Sequence, residues 1–262
     1  MLRAFSTAAT GMTAQQMMVD MTAHNLANIN TTGFKRSQID FQDLLYVKMR
    51  EPGTEVSSGL TAPSGIETGS GVRVASTVKV FTAGELQGTG KPLDIAITGE
   101  GFLQVSLPNG ETMYTRDGAL QTNANGELVT TTGYAIEPAI TIPTDAASVG
   151  IGKDGGVNVA DSAGTMSVVG NIQLARFPNP AGLSSEGDNL LAETEASGTP
   201  TTGTPGESGF GTIQAGFLEK SNVQMITELV NLITAQRAYE TNSRAIRAGD
   251  EMLRNAIAMA RF

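Results

Sequence analysis

The sequence has no cysteine and no tryptophan, and His24 is the only histidine among its 262 residues. The absence of cysteine excludes disulfides, thiolate metal sites and cysteine nucleophiles, and is compatible with an oxidising compartment. His24 lies within a helical pattern without a partner base or metal ligands beside it, so we expect it to pack or face solvent. We therefore predict that the protein is not an enzyme and has no cofactor and no metal.

Long apolar runs are also lacking. The first ten residues, MLRAFSTAAT, contain no apolar stretch of the secretory type, and no run is long enough to span a membrane. If the protein leaves the cytoplasm, we expect an export route that needs no cleaved signal. Aromatic residues make up 5% of the chain, whereas glycine (31) and proline (10) are frequent, which favours short strands and tight turns.

Basic surface is scarce in the middle of the chain. Residues 51–218 carry a formal charge of -12, compared with +2 for residues 1–50 and +1 for residues 219–262. Phosphate binding needs a positive face, so we predict no nucleic-acid partner. The terminal segments have neither a basic flank nor a tryptophan anchor, so we also predict no direct membrane insertion.

Both ends of the chain have a seven-residue apolar period, which predicts amphipathic helices. At the N-terminal end the period comprises Phe5, Met12, Val19 and Leu26. At the C-terminal end one heptad position comprises Leu232, Tyr239, Ile246 and Leu253, and its neighbour includes Leu229, Gln236 and Ile257. Asn28 and Gly33 supply stop signals after the first helix. The polar members of the second pattern favour an array of helices with polar contacts between subunits over a dry two-helix seam.

Between these ends the pattern alternates as in β-strands. Asn109-Gly110 and Asn125-Gly126 each separate two alternating segments, which predicts two hairpins, and residues 153–156 (KDGG) predict a third turn. Residues 50–71 and 197–211 resemble linkers or surface loops.

These patterns predict an α+β fold in which coiled-coil-like terminal helices pair as a stalk that carries an inserted all-β domain. We predict four parts: an N-terminal helix of an inner core domain (1–36), an extended β/loop connector (37–90, including 46–71), an outer β domain (91–215) and a C-terminal helix of the inner core domain (216–262).

Two other functions compete with a polymerising structural subunit. A monomeric, adhesin-like binding module would use the β region, but it has no need for two long heptad faces. A cell-wall hydrolase would use a carboxylate pair, with candidates Asp94, Glu100, Glu111 and Asp117. Carboxylates scattered over an acidic β region are usually solvated, which favours the structural interpretation.

Several motifs resemble those of one known family. Residues 25–36 (NLANINTTGFKR) resemble the N-terminal signature of flagellar rod, hook and hook-associated proteins. Residues 99–103 (GEGFL), 114–118 (YTRDG) and 125–129 (NGELV) resemble its central β module, and residues 222–225 (NVQM) and 235–240 (AQRAYE) its C-terminal signature. Together these motifs extend over nearly the whole chain.

The length and residues 46–74 resemble the distal rod branch of this family first and the proximal rod branch second, with a hook-type axial protein as a further alternative. We expect the stretch to bridge neighbouring subunits and to stiffen the polymer. The residues assigned to this rigidity role are Tyr46, Pro52, Pro63, Gly65, Gly69 and Gly71.

The resemblance implies a helical homopolymer that forms a hollow, rigid drive shaft, transmits torque and lines an export channel. Subunit packing is assigned to Asn28, Gly33 and Phe34 together with the apolar and polar heptad residues named above. The implied partners are further copies of the chain, proximal rod proteins, the hook protein, the P and L ring proteins, a rod cap and the flagellar type III export apparatus. The implied location is the basal body, from the periplasm to the outer membrane.

Overall fold

The computed structural model describes residues 2–53, 55–57, 60–61, 63–161 and 165–259. Helix α1 extends over Leu2–Ala27 and helix α2 over Met225–Met259, with a β-rich region between them. The predicted α+β class is therefore confirmed. Gly33, with a φ of 67°, follows the end of α1 in the left-handed region that favours glycine. Residues 1 and 260–262 of the predicted terminal helices lie outside the described residues.

The chain forms two compact units. The first contains the described parts of Met1–Leu26, Ser37–Val78 and Met225–Phe262, and the second contains Ala27–Arg36 and Lys79–Gln224. The connector predicted at residues 37–90 is thus divided between the two units, as is the segment 1–36. The finer four-part division stays a prediction.

In its described residues the first unit contains α1, α2 and six short strands. The strands are β1 (Ser37–Asp43), β2 (Val47–Arg50), β3 (Glu55–Ser57), β4 (Leu60–Thr61), β5 (Ile66–Thr68) and β6 (Val72–Lys79). They pair as β1 with β6, β2 with β5, and β3 with β4. Residues 50–71, which we expected to form a loop, therefore contain paired strands. Residues 54, 58, 59 and 62 of this stretch lie outside the described residues.

The second unit contains the remaining strands. They are β7 (Leu86–Gly88), β8 (Ile95–Thr98), β9 (Phe102–Ser106), β10 (Thr112–Thr115), β11 (Leu120–Thr122), β12 (Leu128–Thr130), β13 (Ala135–Glu137), β14 (Ala146–Ile151), β15 (Gly156–Asp161), β16 (Met166–Asn171), β17 (Leu174–Arg176), β18 (Ser184–Gly187), β19 (Leu190–Ala192), β20 (Thr201–Gly203), β21 (Thr212–Ala215) and β22 (Phe217–Glu219). Nine of them form one sheet, β14, β15 and β16 form a second, and β8 pairs with β21 and β7 with β22.

Strand β9 lies at the centre of the nine-stranded sheet, where it pairs with β10, β13 and β17. Side chains alternate along a strand, so its two faces enter different cores. Leu103 and Val105 belong to a large aliphatic core, whereas Phe102 packs with Tyr114 and Phe177 in a smaller aromatic cluster. Both faces of the sheet are therefore covered around β9.

The predicted hairpins are confirmed. Asn109-Gly110 connects β9 to β10, and Asn125-Gly126 connects β11 to β12. Gly110 and Gly126 have φ angles of 85° and 82°, which a residue with a Cβ adopts only at a cost. The third predicted turn connects β14 to β15, with Gly155 at 83°.

Two valines on strands of the second unit allow a test of this core. Val105 is 0% exposed on β9, whereas Val168 on β16 is 71% exposed. We expect Val105→Ala to lower the free energy of unfolding by about 2–3 kcal/mol, because it removes buried methyl groups and leaves a cavity. The matched change Val168→Ala should alter it by less than about 0.5 kcal/mol. Denaturant titration measures both, and equal effects would contradict the assigned core.

Candidate assembly site

A buried carboxylate connects three distant parts of the second unit. The carboxylate of Glu219 accepts hydrogen bonds from Nζ of Lys35 at 2.6 Å, from Nε of Arg116 at 2.9 Å and from the backbone N–H of Gly84 at 2.9 Å. Its side chain is 1% exposed, and those of Lys35 and Arg116 are 3% and 7% exposed. We call Lys35, Arg116 and Glu219 the Glu219 cluster. Lys35 also donates to the carbonyl of Thr82 at 2.7 Å.

Arg116 connects this cluster to the turn between β8 and β9. Its guanidinium donates to the carbonyl oxygens of Ile97 at 3.0 Å, Gly99 at 2.7 Å and Gly101 at 2.6 Å. The planar guanidinium has five N–H donors in a fixed arrangement, so it can hold several acceptors at once. One side chain thus fixes both the turn and the orientation of Glu219.

The segment around Gly33 lies directly against Arg116. The N–H of Gly33 donates to the carbonyl of Glu219 at 2.8 Å, and a Cβ added at Gly33 would lie 2.7 Å from the carbonyl carbon of Arg116. A side chain at this position would displace the backbone that carries the guanidinium. Beside it, the hydroxyl of Thr32 donates to Asp117 at 2.7 Å.

Asn222 forms a second polar bridge close to the cluster. Its side-chain oxygen accepts from the N–H of Arg36 at 2.7 Å, and its amide donates to the carbonyl of Val80 at 2.8 Å. The N–H of Val80 in turn donates to the carbonyl of Arg36 at 2.9 Å. The side chain of Asn222 therefore joins the N-terminal and C-terminal motifs, and both motifs are hydrogen-bonded to Val80.

The charges of the cluster oppose the effect of burial on Glu219. Burial would raise the pKa of this carboxyl, but the charge of Arg116 and the hydrogen bonds from Lys35 and Gly84 hold the pKa below its ordinary value of 4.5. Glu219 is consequently ionised at neutral pH, as an ion pair with two cations requires.

Two close approaches occur between the long helices of the first unit. A Cβ added at Gly11 would lie 2.9 Å from Nδ2 of Asn242, and one added at Gly249 would lie 2.8 Å from Cε1 of Phe5. Of the two contacts, the one nearer the end of α1 (Gly11 with Asn242) is also the one nearer the start of α2. The two helices are therefore antiparallel where they meet, and the glycines allow them to approach closely.

The predicted packing residues differ in exposure. Those that are buried or half-buried are Phe5, Met12, Val19, Leu26, Asn28, Gly33, Phe34, Leu232, Ile246 and Leu253. Those that are exposed are Leu229, Gln236, Tyr239 and Ile257. Leu26 and Leu232 thus lie within the chain's own packing, whereas Leu229, Gln236 and Ile257 on α2 are open to solvent. Their role between subunits stays a prediction.

An exposed apolar stripe at the start of α2 was missed by the heptad analysis. Ile226, Val230 and Ile233 are 79%, 56% and 48% exposed. Their spacing of four and three residues places them on one face of the helix. The spacing of these three residues could have revealed the stripe in the sequence, but the predicted heptads follow the positions that include Leu229 and Leu232.

The stretch assigned to rigidity is mostly at the surface. Tyr46, Pro52, Pro63 and Gly69 are exposed, whereas Gly65 and Gly71 are half-buried. The ends of the stretch are adjacent, because the N–H of Leu44 donates to the carbonyl of Gly71 at 2.9 Å and the hydroxyl of Ser70 donates to the carbonyl of Leu45 at 2.7 Å.

The other candidate sites find little support in the geometry. The described part of the chain has no group of three or more His, Cys, Asp or Glu side chains placed to hold a metal. The described helices include none with the length and apolar character needed to cross a membrane. His24 lies exposed on α1, and Asp117 binds Thr32 and the N–H of Ala119 at 3.1 Å.

Comparison with known proteins assigns these features to a family. Residues 5–35 match the flagella basal body rod protein family, residues 96–159 the flagellar hook protein FlgE/F/G D1 domain, and residues 214–259 the flagellar basal body rod FlgEFG protein C-terminal family. The chain is similar to the flagellar basal-body rod protein FlgG of three bacteria. The relatives are those of Buchnera aphidicola subsp. Schizaphis graminum (46% identical; 93% of this chain and 94% of the relative), Caulobacter vibrioides (46%; 96% and 97%) and Borreliella burgdorferi (44%; 97% and 97%). This chain belongs to the flagellar basal-body rod protein family.

Flagellar basal-body rod proteins are structural subunits of the flagellum, and their function is in motility. The three matched segments of this member carry the polar contacts described above, because Lys35 lies in the first, Arg116 in the second and Glu219 in the third. Lys35 and Arg116 were within the motifs singled out from the sequence of this rod protein. Glu219 was missed, since a single glutamate before the C-terminal motif gives no sign that it is buried.

We expect Glu219→Gln to destabilise the second unit of the rod protein by roughly 3–5 kcal/mol, because it leaves two buried cations without their counter-charge. The matched control is Glu100→Gln, which removes a carboxylate 3.9 Å from Arg176 that is 77% exposed. That change should cost less than about 1 kcal/mol. Denaturant titration at pH 7 compares the two, and similar costs would show that the cluster adds no particular stability.

The lowered pKa of Glu219 gives this contribution a pH dependence. Well above pH 4.5 the carboxyl is ionised in both the folded and the unfolded chain, so the stabilisation is fully present. It is lost progressively as the pH falls from 4.5 through the lower folded-state pKa. We therefore expect the stability difference between the wild type and Glu219→Gln to shrink at acidic pH. A difference that stays constant from pH 7 to pH 3 would contradict the assignment.

Proposed function

We propose that this rod protein is a distal rod subunit that polymerises helically into a hollow, rigid drive shaft, transmits torque to the hook and lines the export channel. The observation that carries the proposal is the apolar surface of the first unit. Ile226 and Val230 on α2, and Leu45 and Met49 near or on β2, are between 56% and 90% exposed. Surfaces of this kind mark interaction sites in soluble proteins.

The helical ends are proposed to pair as a coiled-coil-like stalk. The antiparallel approaches at Gly11 and Gly249 support such pairing, and so does the burial of Ala14 and Ala235. Small residues at these positions let the helix backbones approach each other. The stripe formed by Ile226, Val230 and Ile233 would then be covered by the helices of neighbouring copies in the inner layer of the shaft.

Residues 46–71 are proposed to bridge to the β domain of an adjacent subunit. Such a contact would restrict sliding between neighbouring rows of subunits and would keep the shaft straight. The surface position of Tyr46 and of the strands β2 and β5 supports this role.

The remaining proposed partners are the components next to a distal rod in the basal body. They are the proximal rod proteins, the hook protein, the surrounding P and L ring proteins, the rod cap and the flagellar type III export apparatus. The proposed position extends from the periplasm to the outer membrane.

A deletion tests the bridging role. Because Leu44 and Gly71 are hydrogen-bonded to each other, residues 46–69 can be removed and the ends joined without a long gap. We expect this variant to retain the thermal unfolding of the second unit but to assemble into rods that bend or slide. Electron microscopy of purified basal bodies measures rod curvature.

A second variant keeps the length of the stretch and replaces Tyr46, Met49 and Ile66 with serine. If these apolar side chains form the contact that keeps the rod straight, this variant should behave like the deletion. Straight, rigid rods from the deletion variant would overturn the bridging role.

A further inference from the structure

The three-stranded sheet of the second unit has one face that contains no charge. Residues paired directly across antiparallel strands lie on the same face of a sheet. Ser148 pairs with Ala160 and Gly150 with Asn158, while Asn158 pairs with Val168 and Ala160 with Met166. We call these residues the outer sheet face: Ser148, Gly150, Asn158, Ala160, Met166 and Val168.

The outer sheet face is open to solvent although two of its side chains are apolar. Met166 is 80% exposed and Val168 is 71% exposed. A Cβ added at Gly150 on β14 would meet nothing within 4 Å, so this face is also uncovered on the other side of β15. The opposite face carries Val157 and Val159, which are buried in the main core. Solubility of this acidic region gives no reason to expose two large apolar side chains.

The edge of the same sheet has a β-bulge at Val169, where the register with β15 shifts, but it has no charged residue and no proline. β16 pairs only with β15 in the part of the chain that the structure describes. Its sequence, MSVVGN, contains no lysine, no other charge and no proline. Natural proteins normally protect exposed edges with such residues. An edge without charge or proline beside two exposed apolar side chains is the kind of surface that association covers.

The first unit contains an apolar surface of a different shape. Strands β2 and β5 form a two-stranded ribbon, and Tyr46, Met49 and Ile66 on or next to it are 54%, 66% and 48% exposed. A two-stranded ribbon is marginally stable in water unless a further surface packs against it. We call β2, β5 and the adjoining Tyr46 the ribbon.

The geometry of a rod decides which surfaces can pair between copies. If the outer sheet face met the same face of a second copy, the contact would be isologous and would close a dimer. An open helical polymer instead needs a heterologous contact, in which two different surfaces of the same chain are complementary. The ribbon and the outer sheet face are two such surfaces.

We propose that the ribbon of one subunit packs on the outer sheet face of a neighbouring copy, with Tyr46, Met49 and Ile66 against Met166 and Val168. This inference rests on the proposed bridging role of residues 46–71 and names the surface that receives it. The contact removes apolar side chains of both surfaces from water.

The absence of cysteine from the natural sequence makes disulfide crosslinking a direct test. The full-length variant Met49→Cys/Met166→Cys is expressed in place of the wild type, and purified basal bodies are oxidised. We expect a ladder of covalent rod-protein oligomers under non-reducing electrophoresis. A second pair, Ile66→Cys/Val168→Cys, is used in parallel in case the first prevents assembly.

Two kinds of control accompany the pairs. Each single cysteine variant should give no ladder beyond a dimer, and Met49→Cys/Thr131→Cys should give none because exposed Thr131 lies in the turn between β12 and β13. A ladder from either main pair, without one from the Thr131 pair, supports the proposal. Assembled rods that give no ladder from either main pair overturn it.

A photo-crosslinking amino acid at position 49 distinguishes a wrong acceptor surface from a failure of the proposed bridging role. If it links to a neighbouring copy outside the outer sheet face, the acceptor surface is wrong but the bridging role stands. If it links only to a ring protein, or to nothing in assembled rods, the bridging role fails as well. Mass spectrometry of the linked peptides identifies the partner in each case.

Discussion

The β-rich unit depends on one buried carboxylate that must keep its charge. Burial of Glu219 is costly without compensation, and Lys35, Arg116 and the N–H of Gly84 provide that compensation. Lys35 and Glu219 are separated by 184 positions and Arg116 and Glu219 by 103, so the contact joins segments that no local preference brings together. Arg116 extends the same network into the turn at residues 97–101. A set of signature motifs thus meets at a single buried charge.

The two units differ in how much apolar surface they cover. The second has a continuous aliphatic core around β9 and an aromatic cluster on the other face of the sheet. The first leaves apolar side chains open on α2 and on the ribbon. A unit with a continuous core can fold before assembly even though Met166 and Val168 remain exposed on it, whereas uncovered apolar surface is removed from water only when copies meet. This division of tasks suits a structural subunit of a rod.

The ribbon is inserted where two strands are already held together. Leu44 and Gly71 are hydrogen-bonded at its base. β1, which precedes the ribbon in the sequence, pairs with β6, which follows it. An insertion between closed ends adds surface with little change in the rest of the first unit, because lengthening a closed loop costs little additional entropy. A stretch of this kind can therefore set polymer properties while the common fold is retained.

Local patterns in the sequence determined the two terminal helices, the three hairpins at Asn109-Gly110, Asn125-Gly126 and residues 153–156, and the family, because heptad spacing and turn-forming residues act over short distances. The strands within residues 50–71 were not predicted, since their pairing joins segments that look irregular by themselves. Tertiary structure alone decided that Glu219 is buried and that Ile226, Met166 and Val168 are open to solvent. Whether a side chain is buried or exposed depends on which distant residues pack against it, and no local pattern carries that information.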